Sequence, residues 1–251
     1  MKKQETLPGW RPDWPVPQGV HALCTTRAGG VSLGAWQGLN LGTHVGDRPD
    51  HVAENRARLH RALGVRPVFL TQVHGTQVLS LDPATVDDTV ADACITAHAG
   101  VACTIMVADC LPVLFADLSG QRVAAAHAGW RGLAAGVLER TAQAFESPER
   151  TIAWLGPCIG PDAFEVGEEV RAVFVAAAPN AERHFRPADA PGKWWADLPG
   201  LARDRLQAAG VGQVYGNDGS APWCTAGNPS VFFSHRRDGV SGRLAACIWR
   251  D

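Results

Sequence analysis

With 251 residues, a formal net charge of −2 and 19% charged side chains, the chain presents no field that would draw nucleic acid or an anionic membrane. An apolar fraction of 46% is enough for a substantial core, yet no apolar run reaches the ~20 residues needed to span a bilayer. The seven cysteines are odd in number and never form Cys-x-x-Cys, and the lysine-bearing start has no apolar stretch, so a reduced, cytoplasmic protein without a disulfide framework is expected.

In chain order, residues 19–46 read as a strand, a glycine turn and a loop carrying Leu39-Asn40-Leu41. Residues 50–63 form a helix stopped by Gly64. Strands follow at 67–73, 76–81, 92–96, 101–107, 111–117 and 121–127. A helix over 132–145 repeats Leu133, Val137, Leu138, Thr141 and Phe145 at helical spacing. A strand at 151–155, helices at 167–178 and 198–209, and strands at 211–215, 230–234 and 243–249 complete the chain. Strands and helices alternate irregularly, which predicts an α+β fold, one layered domain over 1–251 with mixed and antiparallel sheets.

His74, Cys110 and His127 stand at strand ends in this scheme. Leu118-Ser119-Gly120 offers turn chemistry between the strands 111–117 and 121–127. A hairpin centred between Leu118 and Ser119 places Cys110 opposite His127, close enough to share a metal ion. With His74 they make three N/S ligands and no evident fourth, the pattern of a catalytic zinc that keeps one position open. Asp109 serves either as a turn residue or as a carboxylate that orients a histidine or moves protons, and Asp92 has a similar but weaker case. The junction Gly129-Trp130-Arg131-Gly132 offers backbone N–H groups and Arg131 to an anion such as phosphate. Arg27 and Arg236 could add positive charge. Asn40 either bonds a ligand or closes its own loop.

Taken together, Thr26-Arg27-Ala-Gly-Gly, Leu39-Asn40-Leu-Gly, Glu54-Asn55-Arg56, Gln72-Val73-His74-Gly75, Ala91-Asp92-Ala93, Ala108-Asp109-Cys110-Leu-Pro112, Ala126-His127-Ala-Gly-Trp-Arg131-Gly132, Gly156-Pro157-Cys-Ile-Gly160 and Ser234-His235-Arg236-Arg237 resemble the YfiH-like, or laccase-domain, family. The match runs in order from about residue 20 to 250. The resemblance implies zinc at His74, Cys110 and His127. It also implies phosphorolysis of adenosine, guanosine, inosine and methylthioadenosine, together with adenosine deamination. His235 departs from the pattern, in which an aromatic residue is commoner. The implied partners are purine nucleosides and phosphate; from composition and charge no nucleic acid and no membrane are expected, and the protein is expected to be a monomer.

Cys110, His127 and Asp109 are then the candidate catalytic residues, and Asn40, Arg27, Arg131 and Arg236 the candidate substrate ligands. In deamination, a metal-activated water attacks C6 of adenosine with Asp109 as proton shuttle. In phosphorolysis, phosphate near the metal and Arg131 attacks the anomeric carbon. The family is also described as multicopper polyphenol oxidase, but none of the nine histidines forms a His-x-His pair, against a four-copper mechanism. Copper at the same three ligands stays open. So does a cysteine hydrolase, with Cys110 as nucleophile, His127 as base and Asp109 as orienter, in keeping with the family's link to peptidoglycan-precursor editing. A structural zinc is a third alternative, weakened by the missing fourth ligand.

Overall fold

The computed structural model describes residues 7–251. Two mixed sheets lie face to face. The first has five strands in the order Gly9–Trp10, Val20–Thr25, Leu244–Arg250, Val101–Val107 and Arg66–Val68, antiparallel except for the last pairing. The second has six, in the order Gln213–Gly216, Thr151–Leu155, Leu111–Asp117, Val123–Ala128, Ala93–Thr96 and Val78–Ser80, with parallel pairings at both edges.

Side-chain alternation builds the layers. Along Leu111–Asp117, Leu114 and Ala116 face the first sheet, together with Ile105, Ala246 and Ile248. Leu111, Val113 and Phe115 face the opposite way, onto the helices Trp130–Ala135, Val137–Gln143 and Leu198–Ala208. The outer face of the first sheet packs Leu23, Met106 and Cys247 against Leu59 and Leu63 of the helix Pro49–Leu63. The result is an α-β-β-α stack, so the central strands are buried on both faces and read as continuous apolar runs. No helix of the described residues is long and apolar enough to cross a membrane.

The helix Pro49–Leu63 begins with proline and ends at Gly64, whose left-handed backbone (φ 75°) lets its N–H reach His60 O at 3.0 Å. Its buried Asn55 bonds Ser32 Oγ, Gly38 O, Asn40 O and the N–H of Val31, which ties the 31–40 loop to the helix.

Four expectations need correction. The helix predicted over 132–145 is two helices, Trp130–Ala135 and Val137–Gln143, broken where Gly136 turns left-handed (φ 96°). Residues 230–234 form no strand; Phe232 and Phe233 plug the core, and Ser234 caps the short helix His235–Asp238 by accepting from Arg237 N–H. A three-stranded sheet of Glu165–Gly167, Lys193–Ala196 and Phe185–Pro187 was not foreseen, because these strands are short and partly exposed.

The central hairpin is also longer by two residues. Asp117 accepts from Ser119 Oγ and from the N–H groups of Gln121 and Arg122, which closes a loop over 118–121. His127 therefore pairs with Pro112 rather than Cys110. A shift of two preserves the face on which each side chain points, so the ligand geometry survives the register error.

Candidate metal centre

His74, Cys110 and His127 converge. One ligand atom from each lies within 4.8 Å of the others, and this is the one such group of three among the described residues. Cys110 Sγ stands 3.7 Å from His74 Nε2, and the two imidazoles meet edge to face at 4.8 Å between centroids. A tetrahedral zinc would hold sulfur and nitrogen roughly 3.6 Å apart, from bonds of about 2.3 and 2.1 Å. The donor set fits such an ion.

Each ligand comes from a different element. His74 follows the short strand Leu70–Thr71, Cys110 sits on the connection between the two large sheets, and His127 lies in the strand Val123–Ala128. His74 and Asp109 adopt positive φ, 60° and 90°, two of three non-glycine residues that do so among those described. Strained backbone of this kind persists only where the surroundings hold it, and it clusters at functional sites.

The residue that holds it is Asp92. Its buried carboxylate accepts from the N–H groups of Val73 (3.1 Å), His74 (2.8 Å) and Gly75 (2.6 Å), and from His127 Nδ1 at 2.9 Å. One side chain thus sets the His74 turn and fixes the His127 tautomer, leaving Nε2 to face Cys110. Burial opposes the charge on Asp92, but the His127 bond and the backbone donors outweigh it and hold its carboxyl below the usual range.

Burial likewise opposes charge on Cys110, yet His127 and the hydrogen bonds from both imidazoles bring its thiol down to about 6. His127 mirrors this: burial disfavours its cation, while Cys110 and Asp92 raise it to about 9. The site is ready to present a thiolate.

Gly129 is required by space. A Cβ there would lie 2.7 Å from His74 Cδ2 and 2.9 Å from Cys110 Sγ. The role of orienting a histidine, expected of Asp109, belongs to Asp92. Asp109 instead accepts from Thr225 Oγ1 (2.6 Å) and Arg236 N–H (2.6 Å), and its carbonyl takes the N–H of Ile159, so it braces the Cys110 turn.

The ligands open into a cavity of about 250 Å³ that also exposes His44, Gln72, His235 and Arg243. Gln72 makes two 2.8 Å bonds with the backbone of Met106, fixing one wall. His44 is held below its ordinary value by burial first, then by Arg243 and Arg56.

None of the four expected substrate ligands lines this cavity. Arg27 bonds Pro229 O and Gln37 O in a separate groove. Asn40 is buried, and its amide is fully engaged by Gly42 O, Asp47 Oδ2 and the N–H groups of Gly42 and Arg243; it closes its own loop. Arg131 stacks on Trp130 at 4.4 Å, exposed on a helix of six residues. Arg236 sends its guanidinium to Glu165 O. Arg243, which lines the cavity, was not singled out in the sequence, because its Gly242-Arg243 context resembles ordinary strand entry.

A family profile described as multi-copper polyphenol oxidoreductase laccase matches residues 21–251. The chain belongs to this laccase-domain family. A purine nucleoside phosphorylase of Pseudomonas aeruginosa is 53% identical over 239 residues, covering 95% of this chain and 96% of the relative. The purine nucleoside phosphorylase YfiH of Escherichia coli is 51% identical over 242 residues, covering 95% and 97%. A crystal structure from Neisseria meningitidis superposes with a TM-score of 0.92 at 48% identity, covering 97% of this chain and 99% of that one. These likenesses bear out the resemblance and the α+β architecture read from the sequence.

Proposed function

We propose that this laccase-domain protein is a zinc-dependent purine nucleoside phosphorylase that cleaves adenosine, inosine, guanosine and methylthioadenosine with phosphate and also deaminates adenosine. The observation that carries this reading is the convergence of His74, Cys110 and His127 around one point, organised by Asp92, in a chain whose close relatives are named purine nucleoside phosphorylases. Nε2 of both histidines and the Cys110 thiolate would hold the ion, which when bound supplies a Lewis acid able to polarise an oxygen and activate water.

The remaining chemistry belongs to the chain. Asp92 keeps the His127 ring in one tautomer and orientation through the 2.9 Å bond at Nδ1. Asp109, with both oxygens engaged, positions Cys110 rather than carrying protons. In phosphorolysis a phosphate oxygen bonds to the anomeric carbon as the bond to the purine nitrogen breaks, and the leaving purine takes up a proton. His235 and Gln72 line the cavity in which the purine would be accommodated.

Elemental analysis of the purified protein, paired with product identification after incubation with adenosine and phosphate, tests this. Free adenine marks phosphorolysis and inosine marks deamination. Stripping the metal should abolish both, and Cys110→Ala should lose metal and activity together. Full activity in metal-free protein would refute the reading.

One observation favours a second reading. Cys110, His127 and Asp92 also have the order of a nucleophile, base and orienting acid, with Asp92 in the place first given to Asp109. A cysteine hydrolase predicts activity in metal-stripped protein that a thiol reagent destroys. The family's oxidase description predicts instead that turnover of a phenol scales with copper content.

A further inference from the structure

Arg243 stands on the cavity wall beside the metal ligands, within the field of Asp109 and Cys110. Among the described residues its guanidinium makes no ion pair with a carboxylate. Its Nη1 is anchored to Ser241 O (3.0 Å) and Gly242 O (3.1 Å), and no hydrogen bond among those residues engages Nε or Nη2. One edge of the guanidinium is thus without a hydrogen-bond partner in the protein at the cavity wall, where the oxygens of a ligand could fill it.

The surroundings hold this side chain ready. Asn40 Oδ1 accepts the Arg243 N–H at 2.9 Å, and Leu41 N–H donates to the Arg243 carbonyl at 3.2 Å. Gly42 lets the stem pass, since a Cβ there would lie 2.8 Å from Arg243 Cγ. The same loop carries His44 into the cavity. Behind it Arg56, fixed by Leu41 O (3.0 Å) and by stacking on Phe69 at 3.8 Å, places a second positive charge within reach of His44. A planar fork with one edge free matches two oxygens of a tetrahedral oxyanion.

We propose that Arg243, with His44 beside it, is the phosphate-binding subsite of this cavity. The identity of the anion rests on the phosphorylase reading; that an oxyanion binds here rests on the cavity alone. Phosphate held by Arg243 sits between the guanidinium and the ligand triad. Arg131, where the sequence pointed, is exposed and does not line the cavity.

The test compares wild type with Arg243→Gln and Arg243→Lys, each checked for metal content and circular dichroism. Steady-state phosphorolysis is measured with phosphate and inosine varied separately, and inorganic phosphate is titrated calorimetrically into zinc-loaded protein without nucleoside. Loss of a charge-assisted bidentate contact should raise the phosphate KM on the order of tenfold to a hundredfold. The inosine KM should move less than threefold, and lysine should recover part of the loss. An unchanged phosphate KM, or a loss borne by inosine, overturns the assignment, the latter because Arg243 would then read the nucleoside. If wild type shows no phosphorolysis, the functional reading fails and the titration alone decides. Phosphate binding that is lost in Arg243→Gln then upholds an oxyanion subsite; binding that is absent from wild type, or equal in both, overturns it.

Discussion

Asp92→Asn is nearly isosteric and removes one charge, so it isolates what the carboxylate does. Asp92 Oδ1 accepts from His74 N–H and His127 Nδ1, and Oδ2 accepts from Val73 and Gly75 N–H. Whichever way the amide is oriented, its NH₂ confronts two donors, so two bonds to a charged acceptor are lost. At roughly 1.5–3 kcal/mol each, with the lower value applying after local relaxation, the cost is about 3 kcal/mol of stability. Metal affinity should fall about 10- to 100-fold, as is usual when the group behind a histidine ligand is removed. Urea unfolding of the metal-free proteins reads the first quantity, and competition with a chromophoric zinc chelator reads the second. The pH dependence has a definite sign. The folded carboxyl is depressed, so its contribution is present above the ordinary carboxylate range, near pH 4, and fades as pH falls through its folded value. The stability gap between variant and wild type should therefore narrow in acid. If Asp92→Asn unfolds within 1 kcal/mol of wild type, on the scale of a single ordinary hydrogen bond, and binds zinc equally well, Asp92 is not the organiser of this site.

Gly129→Ala keeps an ordinary backbone (φ −65°) but drives a methyl group into His74 and Cys110. Zinc affinity should drop at least about tenfold with circular dichroism unchanged; equal zinc binding would show that the two ligands can part without cost. In metal-free protein, iodoacetamide should label Cys110 with a rate that falls as pH drops through about 6, where the thiolate protonates. An inflection near the ordinary thiol value, about 8.5, would contradict the His127–Cys110 pairing. Far from the site, the hydrogen bond to Asp197 first, and then that to Asp204, raise the pKa of His184 against burial. Its stabilisation is complete below about pH 6.5, the unfolded value, and disappears as pH rises through the folded one. His184→Gln should accordingly cost about 1 kcal/mol at pH 6 and progressively less as the pH is raised, read by denaturant titration.

The ligand set was legible because each ligand lies beside residues with strong local meaning. His127 follows a run of alanines and precedes a glycine-bounded helix start, and Cys110 lies between Asp109 and a buried strand. Parity did the rest. A hairpin misjudged by two residues still sends the same side chains to the same face, whereas an error of one would have separated Cys110 from His127. The loop over 118–121 was hidden because its closure depends on the Asp117 side chain, which composition alone presents as a turn signal of unspecified length. Arg243 was illegible for a different reason. Its importance comes from the loop 40–42, some two hundred residues away in the chain, which clamps its backbone. Asn40 was noticed for its own sake, and the structure gives it significance as the residue that holds Arg243.

These placements share one cause in the topology. Cys110 lies on the passage from Val101–Val107 in one large sheet to Leu111–Asp117 in the other, while His127 belongs wholly to the second sheet and Arg243 immediately precedes the first sheet's Leu244–Arg250. The cavity therefore forms where the sheets part at one end of their shared core. Its floor is set by core packing of the kind seen at Leu114 and Ala246, and its chemistry by polar side chains just beyond that core. A side chain such as Asp92 can be fully buried there and still charged, because backbone N–H groups released by the strained His74 turn replace the water it has lost. The strain at His74 and the charge at Asp92 are thus one arrangement. Neither would be stable alone, and together they leave two imidazoles and a thiolate aimed at a single point.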